Sequence, residues 1–182
     1  IEGLPTWFEV RVNDRGYLGR REGVDIMVAM NAETFEEDVN SLLPGGYLVY
    51  DNSKELPKSL LRPDINLIGV PISTMLLSEF SIQKQRNLFK NITYLGVLAG
   101  LINIEIEIIT GMVSTQYKGK DYLIEPNIRA LEIGRNYALK YLDAPIRFQV
   151  ERSDKVGDKI FVEGNEAAGL GAVYGGASVC AW

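Results

Sequence analysis

From Thr6 to Asn13 the chain alternates, with Phe8, Val10 and Val12 on one face and Trp7, Glu9 and Arg11 on the other. That period of two predicts a half-buried strand, ended by the turn residues Asn13-Asp14-Arg15-Gly16. Val24 to Met30 is an almost continuous apolar run, as expected of a strand covered on both faces. A helix is expected to open at Asn31 or Glu33 and run through Leu43, with Glu33, Glu36 and Glu37 near its positive end. Pro44-Gly45-Gly46 should stop it, and Tyr47 to Tyr50 form the next buried strand. Strand, helix, turn and strand within about 30 residues make a βαβ unit, so a parallel sheet is the economical reading. Asn66 to Val70 is a further short strand ending at Pro71.

From Ser73 to about Leu142 the pattern is mainly helical. Ile102, Ile104, Ile106 and Ile108 alternate as a strand would, yet Ile104, Ile108 and Met112 also stand at helical spacing, and the period alone leaves both open. Asp121 to Leu142 predicts a helix with Pro126 in its first turn or at a break, and a buried stripe of Leu123, Ile128, Leu131, Ala138 and Leu142. After Asp143-Ala144-Pro145 the composition changes. Arg147 to Glu151 and Lys159 to Val162 are expected as short strands around the turn Ser153-Asp154-Lys155, with a domain boundary near 143–158. Ala177 to Trp182 is an apolar run of the kind that enters a sheet, and Ile1 is no initiator; both ends are expected to be cut.

Composition narrows the chemistry. The 182 residues, 46% hydrophobic, suffice for one α/β core or for one core and the start of a second. A net charge of −5 leaves no sequence-wide basic footprint for nucleic acid or an anionic membrane. The longest apolar stretch, Tyr94 to Ile102, is far below the roughly 20 residues of a membrane span. With no histidine and one cysteine, Cys180, the chain builds neither a Ser-His-Asp nor a Cys-His pair, nor a usual zinc site. It cannot ligate an iron–sulfur cluster alone, and its cysteine usage fits the cytoplasm.

The glycine-rich segment Gly164 to Gly176 could cradle a phosphate, but its spacing fits neither GxGxxG nor a P-loop. A helix whose Gly and Ala face admits another backbone fits better, with Asn165 and Glu166 as cap or as cofactor contacts. Arg11, Arg15, Arg20 and Arg21 gather positive charge around one turn. They suit a phosphorylated ligand such as coenzyme A, an acidic partner, or simply solvent. Arg11 stands out because the predicted strand would fix its direction. Glu36/Glu37 and Glu105/Glu107 read as helix-end and amphipathic charges rather than as acid–base pairs. Asn91 reads as a cap. No catalytic residue and no metal ligand is assigned.

Several segments in order resemble the gamma domain of 2-oxoacid:ferredoxin oxidoreductases, in the arrangement where gamma is fused ahead of alpha. They are Ile1 to Val12, Val24 to Asn31 with Leu43-Pro44-Gly45-Gly46 following, Lys90 to Gly96 and Glu125 to Ala130. Gly164 to Ala172 resembles the opening helix of the alpha domain. The resemblance implies a Rossmann-like, mostly parallel open sheet with flanking helices over 1–142, a linker region over 143–158, and the beginning of a second α/β domain of thiamine-diphosphate type over 159–182. It favours a helix for Ile104 to Met112. It also implies a glycine-rich unit before Ile1 and a Tyr-Pro-Ile-Thr-Pro type motif after Trp182. The implied reaction is oxidative decarboxylation of a 2-oxoacid with coenzyme A to acyl-CoA, carbon dioxide and reduced ferredoxin. Thiamine diphosphate, Mg2+ and 4Fe–4S clusters would serve it, in an enzyme containing the remainder of the alpha subunit and a beta-type subunit that carries the thiamine diphosphate and a cluster. Arg11 and the Arg15–Arg21 turn then become candidate coenzyme A or interface contacts. The alternative is a non-catalytic assembly module that docks a partner. A nucleotide-binding Rossmann domain would need a complete glycine fingerprint, which these residues lack.

Overall fold

A computed structural model describes residues 6–17 and 19–180. The chain divides into two compact units, Ile1–Val150 and Glu151–Trp182. The first contains strands β1 (Val24–Ala29), β2 (Leu42–Asp51) and β3 (Asn66–Val70), with helix α1 (Phe35–Ser41) between the first two. Helices α2 (Ile72–Glu79), α3 (Gln83–Leu101), α4 (Ile106–Gln116) and α5 (Asp121–Tyr141) follow. The second unit holds α6 (Gly164–Tyr174).

The strands form a parallel sheet in the order β1-β2-β3. Because strand side chains alternate, β1 and β2 each feed two cores, while β3 feeds one. Met27, Ala29, Leu48 and Tyr50 face α1 (Val39) and the β2–β3 connection, where Leu56, Leu60 and Ile65 complete the layer. Ile26, Val28, Tyr47, Val49 and Ile68 face the opposite layer, where Leu76 of α2, Tyr94, Val97 and Leu101 of α3, and Ala130 and Ala138 of α5 are buried. The βαβ expectation and the helical reading of 73–142 both hold.

The contact between α3 and α5 is set by backbone. A Cβ added at Gly96 would meet the Leu131 carbonyl oxygen at 2.0 Å, and one at Gly134 would meet the Thr93 oxygen at 2.1 Å. Each helix thus places a glycine against the other's carbonyl. The α5 stripe is shorter than predicted: Leu131 and Ala138 are buried together with Asn127, Ala130 and Gly134, while Leu123, Ile128 and Leu142 are half-buried. Pro126 lies beyond the first turn, inside the helix. The stretch of alternating isoleucines resolves as helix from Ile106, after Asn103 turns the chain with φ 58°.

Further expectations are corrected. Thr6 to Asn13 joins no strand among the described residues, and its apolar side chains are open: Phe8 is 94% exposed and Val10 69%. Alternation specifies a face to bury, and nothing described in this chain covers that face. Helix α1 ends at Ser41 rather than Leu43, because Leu42 turns extended and pairs with Val24. Tyr47 pairs with Ile26, so Leu43 to Gly46 buckle out of the ladder, with Gly45 at φ 77°. Arg62 donates to the carbonyls of Val39 and Leu42 at 2.7 and 3.0 Å, which satisfies the early helix end.

Residues 147–151 form no strand either. The segment runs along the end of α3 instead. Ile146 and Val150 donate to the carbonyls of Leu101 and Ile102, both at 2.8 Å, and Phe148 packs edge-on against Tyr47. Its backbone serves as a helix cap and is not free for a ladder. Residues 159–162 are likewise exposed and form no strand in the second unit, and the same holds for the described residues of the last apolar run, 177–180. Residues 181–182 lie outside the described residues, as do Ile1 to Pro5 of the first matched segment.

Candidate functional site

In open parallel sheets, ligands gather beyond the carboxyl ends of the strands. At that edge β2 ends in Asp51, and β3 leads through Pro71 into the first turn of α2. The Asp51 carboxylate accepts from the Ser53 amide at 3.1 Å, from the Ser73 amide at 3.4 Å and from the Ser73 hydroxyl, and it pairs with Lys90 Nζ at 2.9 Å. The Thr74 amide donates to Ser53 Oγ at 3.3 Å. One carboxylate thereby joins the β2 loop, the start of α2 and the middle of α3.

Burial by itself would raise the Asp51 pKa. Hydrogen bonds from Ser73 and Ser53 and the Lys90 ammonium outweigh that and hold it at about 2. Below it Tyr94 is fully buried and donates to the Ala29 carbonyl at 3.3 Å. Burial, with the Asp51 charge adding to it, pushes the Tyr94 hydroxyl above the ordinary phenol range. It therefore stays a neutral donor. Beside the cluster lies a cleft of about 250 Å³ lined by Ser73, Leu76, Gln83, Arg86, Asn87 and Lys90, among others. Arg86 is committed there, donating to the carbonyls of Phe80 and Ser81, both at 2.7 Å, and so closing the end of α2.

Sequence reasoning missed this cluster. Its members are 22 and 39 positions apart, and each reads as an ordinary polar residue. A signal was present: Asp51 closes an apolar parallel strand, and Ser73 follows shortly after the next one.

The predicted arginines lie elsewhere, on an exposed turn. Arg11 donates to the Gly19 carbonyl and lies over the Tyr17 ring at 5.6 Å, while Arg20 pairs with Glu9 at 3.0 Å across the turn. Arg21 pairs with Asp25 at the root of β1. The Arg15 amide is held by Asn13 Oδ1 at 3.0 Å. The structure brings Arg11 and Arg20 to one turn, but four guanidinium groups do not converge on one point. Arg11 takes its direction from Gly19 and Tyr17, not from a strand. In the second unit Glu166 Oε2 accepts from the Glu163 amide at 3.4 Å, so it caps α6; Asn165 is exposed in the first turn. Among the described residues no three His, Cys, Asp or Glu side chains are grouped as a metal site. No helix there is long and apolar enough to cross a membrane.

A parallel sheet with flanking helices, its carboxyl edge fastened by an acid–lysine–serine cluster, defines an open α/β domain. The model of the pyruvate ferredoxin/flavodoxin oxidoreductase family matches residues 1–137, and the chain belongs to that family. It is 24% identical to the alpha subunit of 2-oxoacid:ferredoxin oxidoreductase 2 of Aeropyrum pernix, over 98% of this chain and 34% of that protein. It is 26% identical to the ketoisovalerate oxidoreductase subunit VorA of Methanothermobacter marburgensis, over 65% of this chain and 24% of the relative. Among solved structures it is similar to a 2-oxoglutarate:ferredoxin oxidoreductase from Magnetococcus marinus with 2-oxoglutarate, coenzyme A and succinyl-CoA bound. That match has a TM-score of 0.68 and 26% identity over 84% of this chain and 26% of the other. The chain thus spans about a quarter to a third of these relatives.

Proposed function

We propose that this chain is part of the alpha subunit of a cytoplasmic 2-oxoacid:ferredoxin oxidoreductase, which decarboxylates a 2-oxoacid oxidatively and passes the acyl group to coenzyme A and electrons to ferredoxin. The similarity to the Aeropyrum pernix alpha subunit along 98% of the chain carries the reading. Residues 1–142 are read as a gamma domain, 143–158 as a linker region and 159–182 as the start of the alpha domain. The reaction needs a group that stabilises the carbanion left by decarboxylation, which thiamine diphosphate with Mg2+ supplies, and iron–sulfur clusters that accept single electrons.

Among the described residues, the carboxyl edge of the sheet does not fit the thiamine cofactor. The first-turn amides of α2 are taken by Asp51 and Ser53, and the diphosphate finds no cradle at the carboxyl edge of the sheet. The cofactor and a cluster are therefore assigned to a beta-type partner subunit, and no catalytic step is assigned to these residues. Their part is to position and to assemble. Arg11, Arg15, Arg20 and Arg21 are proposed as coenzyme A or interface contacts, and Asn165 and Glu166 as residues near the cofactor.

The test is reconstitution of the full-length subunit with its beta-type partner, followed by assay of 2-oxoacid-dependent, coenzyme A-dependent dye reduction. Activity is expected. Deleting residues 1–142 should abolish it while the complex still assembles. Absence of activity with every 2-oxoacid tried would overturn the reading. Failure of the deleted form to assemble would instead make this segment a docking module.

A further inference from the structure

We draw no further inference here: the strongest candidate, the cleft between α2 and the start of α3 lined by Ser73, Gln83, Arg86 and Lys90, belongs to the Asp51 cluster already described, its Arg86 held by the Phe80 and Ser81 carbonyls and its Lys90 by Asp51, and among the described residues no buried polar side chain without a partner lines it.

Discussion

Replacing Gly96 by alanine sets two well-defined effects against each other. In a helix interior alanine is favoured over glycine by up to about 1 kcal/mol. Here, however, the new methyl carbon would lie 2.0 Å from the Leu131 carbonyl oxygen and 2.9 Å from its carbon. Carbon–oxygen contacts between packed helices settle near about 3.3 Å, so α3 and α5 must part by about 1 Å. Neither offending atom belongs to a side chain that could swing away. The parting loosens Val97, Leu101, Ala130 and Leu131, all fully buried, and a gap of that size forfeits a quarter to a half of each dispersion contact. Overpacking of this kind costs about 1–3 kcal/mol, occasionally more. With the lost contacts included, the net expectation is a destabilisation of about 2–4 kcal/mol, or a Tm lower by about 5–15 °C for a unit of this size. Gly111 in α4 is the control, since an added Cβ there meets nothing within 4 Å. Gly111→Ala should stabilise by a few tenths to about 1 kcal/mol. Urea titration and thermal melts of both variants decide the matter. If Gly96→Ala melts at or above the parent, propensity has outweighed the clash and the packing argument is wrong.

The other expectations can be checked with the same measurements. Gly134→Ala should cost as much as Gly96→Ala, and the double variant less than their sum, because helices already parted accommodate the second methyl. The Asp51 pKa is lowered to about 2, so its contribution is fully present above the unfolded carboxyl value near 4 and is lost as pH falls from about 4 to 2. Asp51→Asn should therefore lower stability at pH 7 by about 2 kcal/mol and by almost nothing at pH 2; a constant difference across that window would refute the charge argument. Ile146→Ala, which removes a buried side chain beside the end of α3, should cost about 2–4 kcal/mol if residues 143–150 belong to the first unit's core; a change below about 0.5 kcal/mol would detach that segment from the fold.

The readable parts of the sequence were those where one local rule decides. β1, the second half of β2 and β3 are short apolar runs bounded by turn residues, and burial on both faces leaves such runs few alternatives. The α5 helix is legible for the same reason, by period. What stayed hidden depends on partners. The alternation of Phe8, Val10 and Val12 states which face is apolar but not what covers it. Gly96 and Gly134 read as ordinary small helix residues, because a close approach of two backbones leaves no mark in either helix separately. Asp51, Ser73 and Lys90 become a unit only when the parallel sheet brings two strand ends and a helix together. The arginine turn was visible as charge, but its internal pairing with Glu9 and with the Gly19 carbonyl was not.

The Asp51 cluster has a consequence for what the carboxyl edge of the sheet can bind. The first-turn amides of a helix attract free anions, but here a tethered carboxylate competes for them at an effective concentration no freely diffusing phosphate reaches. A phosphate arriving at α2 would have to displace Asp51 and leave it beside Lys90 with its Ser73 contacts broken. The start of α2, where a helix of this architecture would draw an anion from solvent, is in this chain met by the protein's own carboxylate.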